Sequence, residues 1–261
     1  MKSLMIDAGN SSAKWCLLID DKLTDQQHCS YKDKPAHQCV DDIINQQAKA
    51  VDAVFIVSVL GDAFIKQIKG NGLFNKLKLH HVESKKSFAG IQNGYDEPQK
   101  LGTDRFVAMI GAKHNYPENK AFIIIDSGTA TTIDALDHTG KHLGGLILPG
   151  VSLCTESLLK NTQQLPLWGQ NQQHNKPELF AKNTSQAIQS ASILGLAGAI
   201  NSVSQAMEKE LSSTTKVIKI ICGGNAKILK PHLQSSYKVN ENLVMLGLKV
   251  IAGITYSTPL K

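Results

Sequence analysis

Ile6-Asp7-Ala8-Gly9-Asn10-Ser11-Ser12-Ala13 lies over Ile125-Asp126-Ser127-Gly128-Thr129-Ala130-Thr131-Thr132 at a constant offset of 119 residues. Each copy reads as an apolar strand, an Asp-x-Gly turn, and hydroxyl or amide residues entering a second strand, Trp15–Ile19 in one and Thr132–Leu136 in the other. The echo predicts two related β-hairpins and therefore two related lobes. The polar segment Lys113–Lys120 is the expected boundary, giving lobes of residues 1–116 and 117–261, with the last helix able to pack back on the first lobe.

Outward from the hairpins, strands alternate with helices. In the first half Ala53–Leu60 is an apolar run of strand length, and Lys34–Lys49 and Ala63–Gly70 carry helical spacing. In the second half strands are expected at Phe122–Asp126, Thr131–Leu136, Leu143–Leu148 and Lys216–Cys222, with helices at Ser152–Lys160 and Asn242–Ile254. This alternation predicts an α/β fold. Asn161–Pro177, rich in Gln and Asn, reads as a loop. A long apolar helix is expected from Ser185 to Ala206, opened by a Thr184/Ser185 cap. Ala187, Ala191, Gly195 and Ala199 share one of its faces, which suits either core packing or a second subunit.

Composition narrows the function classes. Of 261 residues, 42% are apolar and 19% charged, a globular balance that excludes disorder. The net charge of +6 is dispersed, and Arg105 is the only arginine among 28 basic residues, whereas readers of DNA bases draw on several arginines. Nucleic acid is therefore not an expected partner. Five cysteines with no CxxC pair and no zinc spacing point to a reduced cytoplasm. Asp7 interrupts the first apolar run and no later stretch holds 18 apolar residues, so neither a secretory signal nor a membrane span is expected.

No GxxxxGK[ST], complete GxGxxG, HExxH, GxSxG or HRD pattern occurs, which removes the P-loop, Rossmann and protein-kinase readings. The Asp-x-Gly hairpins suit phosphate instead. Gly9 and Gly128 permit a turn that a side chain would block, and the N–H and hydroxyl groups after them are placed to meet phosphoryl oxygens. Asp7 and Asp126 stand at strand ends, where a carboxylate holds a cation directly or through water. One Asp-x-Gly alone reads first as a plain β-turn; two at the same point of a repeat reverse that and argue for a shared role.

Two further glycine elements accompany them. Cys222-Gly223-Gly224-Asn225-Ala226 is either a surface for a flat group such as adenine or ribose, or a helix-entry turn. Gly144–Gly150 is expected to turn the chain tightly beside the second hairpin. The sharpest element is Gly102-Thr103-Asp104-Arg105. A chain that otherwise uses lysine keeps its one arginine here, which argues for bidentate recognition of a carboxylate or phosphate, against the alternative of an internal ion pair at a helix start.

Together these pieces resemble the acetate and sugar kinase, Hsp70 and actin superfamily, and within it the type III pantothenate kinase family. Asp7–Trp15 is similar to that family's DxGNSxxKW phosphate motif, and Tyr95-x-x-Pro98-x-x-Leu101-Gly102-x-Asp104-Arg105 to its pantothenate segment. Asp126-x-Gly128-Thr129-Ala130-Thr131-Thr132 is similar to its second phosphate motif and Gly144-Gly145-x-Ile147-x-Pro149-Gly150 to the element after it. Asn183-Thr184-x-x-Ala187-Ile188 and Asn242-Leu243-Val244-x-x-Gly247-Leu248 also match, while Ala191 stands where the family pattern has glycine.

The resemblance implies two duplicated actin-like, ribonuclease H-like lobes with the nucleotide cleft between them. It implies ATP-dependent phosphorylation of pantothenate to 4'-phosphopantothenate, the first step towards coenzyme A. By it, Asp7, Ala8, Gly9, Asn10, Ser11, Ser12, Ala13 and Lys14 bind ATP together with Gly128, Thr129, Gly223 and Gly224. Mg²⁺ is held near Asp7 through water, and a monovalent cation, K⁺ or NH4⁺, at Asp126. Asp104 is the catalytic base and also touches substrate. Arg105 grips the substrate carboxylate beside Tyr95, Gly102 and Thr103, and Thr184 closes the site from the second subunit of a homodimer. Another small-molecule kinase of the superfamily, or a nucleotide-binding regulatory relative without turnover, remains an alternative.

Overall fold

The computed structural model describes residues 2–75, 77–161, 176–211, 215–234 and 236–257. The loop expected over Asn161–Pro177 lies outside the described residues except at its two ends. The chain divides into two compact units, one of Met1–Glu118, Gly140–His142 and Asn242–Lys261, the other of Asn119–Thr139 and Leu143–Glu241.

The first unit is built on a hairpin, β1 (Lys2–Ala8) and β2 (Ser12–Ile19). Outside β2 run β3 (Lys22–Leu23) and β4 (Gln27–Ser30), paired to successive parts of the same edge. After α1 (Ala36–Gln47) the chain returns as β5 (Ala53–Ser58), and after α2 (Gly61–Lys69) as β6 (Lys78–His81). The sheet order is β3-β2-β1-β5-β6, with β1, β5 and β6 parallel. β5 is buried along nearly its whole length, Val54 to Val57 without exposure, as a strand covered on both faces must be. The helices bury Val40, Ile43 and Ile44 from α1 and Phe64, Ile65 and Ile68 from α2 against Leu4, Ile6 and Val54. A small ribbon, β7 (Ser87–Phe88) and β8 (Ile91–Gln92), leads to α3 (Thr103–Asn115).

The second unit repeats the plan. β9 (Ala121–Ser127) and β10 (Ala130–Leu136) form its hairpin and β11 (His142–Pro149) its edge. α4 (Val151–Asn161) and α5 (Thr184–Leu211) precede β12 (Val217–Cys222), short α6 (Ala226–Leu229) and β13 (Tyr237–Val239). The order is β11-β10-β9-β12-β13, again with the hairpin's first strand parallel to its neighbour and that neighbour parallel to the far edge. The echo in the sequence is thus a duplication of topology. Ile123, Ile125, Ile133, Ile193, Ile200 and Leu229 fill its core. The strand expected at Leu143–Leu148 runs from His142 to Pro149, so the tight turn expected of the glycines there is not formed along it, and Gly150 is the one that closes on the hairpin, where a Cβ would strike the Gly128 and Thr129 carbonyls.

The last helix, α7 (Leu243–Ser257), belongs to the first unit and lies against α3 and β1. Its approach to α3 is backbone to backbone. A Cβ on Gly247 would collide with the Val107 carbonyl, and one on Gly111 with the Leu243 carbonyl. Among the described residues no helix is long and apolar enough to cross a membrane.

Candidate active site

The first hairpin turns through Gly9, whose N–H donates to the Ser12 carbonyl at 3.0 Å. A Cβ at Gly9 would stand 3.3 Å from that same oxygen, tighter than ordinary contact, so the glycine keeps the turn closed. Ala8 and Ala13 are buried beneath the turn, Asn10 and Ser11 are exposed, and Ser12 lies between. Asp7 and Lys14 are cross-strand partners, both half-buried, which sets an ammonium on the strand opposite a carboxylate. The residue just after β4 adds a neighbour that sequence reasoning missed: the Tyr31 N–H donates to the Ser11 carbonyl at 3.0 Å. Burial pushes the Tyr31 hydroxyl well above the usual tyrosine range, and the negative charge of Asp7 adds to the shift. The polar four-residue strand that leads into it has no apolar alternation to reveal it.

The expected acceptor residues also lie in the first unit. Gly102 is the residue before α3, and a Cβ there would stand 2.7 Å from Asp104 Oδ1. Glycine therefore leaves the space that the carboxylate occupies. Asp104 sits half-buried in the first helical turn, where the backbone dipoles favour an anion, and accepts the Arg105 N–H at 2.8 Å. Arg105 is only 5% exposed. Its Nη1 donates to the Tyr95 hydroxyl at 2.8 Å, and its guanidinium carbon lies 5.5 Å from the Tyr95 ring centre. The other side of the arrangement is His142, stacked on Tyr95 with ring centres 5.9 Å apart. Asn93 fixes the approach, its Oδ1 accepting the Tyr95 N–H at 3.0 Å. Sequence reasoning brought forward Tyr95, Gly102, Thr103, Asp104 and Arg105, and the fold gathers them; His142, 47 residues from Tyr95 by their numbers, carried no motif.

The second unit holds the other phosphate hairpin. Gly128 N–H donates to the Ala130 carbonyl at 2.9 Å, and the buried Ser127 and Thr131 hydroxyls meet at 2.7 Å below the turn. Asp126 is half-buried at the end of β9. Thr129 is exposed. Gly223 is in the left-handed region, at φ +85°, and a Cβ there would collide with Asp126 Oδ1 and the Ser127 carbonyl. Its glycine is thus required by the protein's own hairpin, whereas a Cβ at Gly224 would meet nothing within 4 Å. Thr184 begins α5 and is exposed. The cap expected from Thr184/Ser185 is supplied one residue earlier: Asn183 Oδ1 accepts the Gln186 N–H at 3.0 Å.

The face of α5 carrying Ala187, Ala191 and Gly195 is exposed, and a Cβ at Gly195 would meet nothing within 4 Å. Core packing among the described residues therefore does not account for those three. Edge strand β11 also exposes apolar side chains, Leu143, Leu146 and Ile147. Among the described residues no group of three or more His, Cys, Asp or Glu side chains is gathered to hold a metal.

A family model described as type III pantothenate kinase matches residues 3–206. A protein of Herminiimonas arsenicoxydans named type III pantothenate kinase is 33% identical over 260 residues, covering 98% of this chain and 99% of its own. Among solved structures, a Campylobacter jejuni protein named as a Baf family transcriptional activator superposes with a TM-score of 0.58 at 18% identity, over 98% of this chain and 100% of that one. An archaeal actin homologue superposes with a TM-score of 0.54 at 12% identity, over 97% and 100% of the two chains. At these identities the two structures speak for the actin-like fold alone.

Proposed function

The chain belongs to the type III pantothenate kinase family, and from that premise we propose how its own residues carry the reaction. The protein transfers the γ-phosphoryl group of ATP to the primary hydroxyl of pantothenate, giving 4'-phosphopantothenate and ADP in the first step of coenzyme A synthesis. The observation that carries the assignment of roles is the buried, sole arginine at the head of α3, oriented by Tyr95 and adjoining Asp104.

Arg105 binds the pantothenate carboxylate, for which a planar fork is suited and an ammonium is not. Asp104 orients the primary hydroxyl and accepts its proton as that oxygen attacks the γ-phosphorus, while ADP departs. Asp7–Lys14 and the Gly128–Thr129 turn bind the ATP phosphates, and Gly223 and Gly224 the nucleoside. Lys14 neutralises phosphate charge. The half-buried Asp7 carboxylate at a strand end fits a Mg²⁺ held through water, and Asp126 a monovalent cation, K⁺ or NH4⁺. Bound there, such ions would supply positive charge against the phosphate oxygens.

The active form is a homodimer in which Thr184 closes the acceptor site of the other subunit. The exposed small-residue face of α5 and the apolar edge of β11 support it. A cytoplasmic location is supported by the five cysteines, none of them in a disulfide. ATP consumption measured with and without pantothenate, in K⁺ and in Na⁺ buffer, tests the reading. Turnover that requires pantothenate and prefers K⁺ is expected; turnover with sugars or short acids in its place would assign another acceptor.

A further inference from the structure

We propose that Asn225 is a positioning residue for the second phosphate hairpin, fixing the Gly128–Thr129 peptide in the orientation that ATP meets; this rests on that hairpin serving ATP. An asparagine just before a helix ordinarily spends its side chain capping that helix. Asn225 precedes α6 and makes no such cap. Its Nδ2 donates instead to the Gly128 carbonyl at 2.8 Å, and its backbone N–H donates to the Ser127 carbonyl at 2.9 Å. Only the NH2 group of the amide is able to face a carbonyl oxygen, so chemistry fixes which way the side chain lies. The next carbonyl along, that of Thr129, accepts the Gly150 N–H at 2.9 Å. Three consecutive carbonyls of the turn are therefore anchored by groups outside it.

The consequence follows from the planar trans peptide, in which C=O and N–H point in opposite directions. Holding the Gly128 carbonyl towards Asn225 directs the Thr129 N–H to the opposite side of the same plane. A turn that binds phosphate depends on where successive N–H groups are aimed. The hairpin's own bonds, Gly128 N–H to the Ala130 carbonyl and the Ser127 hydroxyl with that of Thr131, close its stem on either side of the Gly128–Thr129 peptide. With glycine on one side of it that peptide is torsionally soft, so the setting has to come from outside. Gly223 makes the approach possible, since any side chain there would strike Asp126 and Ser127.

Two variants of the full chain test the assignment by direct titration of ATP. Asn225→Ala is expected to weaken ATP binding about tenfold, the worth of one hydrogen bond to a preorganised group, and to leave the KM for pantothenate within about twofold. Asn225→Asp keeps the shape but opposes a carboxylate to the Gly128 carbonyl, and it should bind ATP worse than the Ala variant near about pH 8, where the acid is ionised. Wild-type ATP affinity in Asn225→Ala, or Asn225→Asp binding ATP as well as wild type does, would overturn the proposal. So would failure of both variants to fold by circular dichroism, which would make Asn225 a folding determinant. A wild-type chain that binds ATP without phosphorylating pantothenate would sink the reaction and leave this titration decisive for Asn225.

Discussion

Arg105 donates from Nη1 to the Tyr95 hydroxyl at 2.8 Å while its guanidinium lies over the face of the same ring. One tyrosine thus sets both the direction and the plane of the fork. Arg105→Lys keeps the charge and loses the plane, and it should raise the KM for pantothenate about 10-fold or more while changing that for ATP little. Steady-state kinetics with each substrate varied in turn checks this. Equal effects on both would mark Arg105 as a structural ion-pair partner.

Asp104 should carry the proton transfer. Asp104→Asn is expected to keep the fold and ATP binding while kcat falls on the order of 10² or more. Gly102→Ala should lower kcat in the same sense but less, because the added methyl would crowd Asp104 Oδ1, which stands 2.7 Å from its place. Near wild-type kcat in the Asn variant would remove Asp104 from the chemistry.

The exposed small-residue face of α5 should be where two copies meet. Ala191→Leu would wedge that contact, at a cost of about 1 to 3 kcal/mol per site, and each contact occurs twice across a two-fold axis. Light scattering should show more monomer, pantothenate binding should weaken, and ATP binding should survive. A wild-type protein that is fully active as a monomer at micromolar concentration, about a typical assay level, would refute the interface.

His80 should make the fold sensitive to acid. It stacks on Phe55 with ring centres 4.5 Å apart, and its buried Nε2 finds no hydrogen-bond partner among the described residues. Burial holds its pKa below the usual 6.5, with Lys78 adding to the shift. The unfolded chain therefore takes up the proton first. This contribution to stability is complete above about pH 6.5 and is lost as the pH falls through the depressed folded value. Thermal melts from pH 8 to pH 5, a range of about three units around that pKa, should show a falling Tm whose slope is shallower in His80→Phe. An unchanged slope in the variant would assign the acid sensitivity elsewhere, His81 being a candidate, since burial lowers its pKa also.

Much of this architecture was legible in the chain, and the exceptions have physical causes. The hairpins announce themselves because Asp-x-Gly recurs at the same point after an apolar strand, and α1 and α2 because each has one wet face. α3 gives no such signal: Arg105 to Ala112 are all buried, so no polar side marks a helical period. The acceptor motif was visible on that helix while the helix itself was not. β4 and β13 are short and partly polar, and their pairing depends on neighbours distant in sequence. Asn225 looked like part of a glycine turn because its partner Gly128 is 97 positions away, beyond any local spacing rule.

The place of α7 bears on the order in which the protein is able to become native. Most of the first unit is made before the second, but its helix α3 lacks its packing partner until Leu243–Ser257 is synthesised, and the glycine contacts at Gly111 and Gly247 leave no room for a substitute. A ribosome-bound chain short of Leu243 therefore carries an incomplete first unit behind a second unit whose described segments are already made. The C-terminal helix acts as the clasp of the N-terminal unit, and shortening the tail should loosen the end of the molecule that was born earliest.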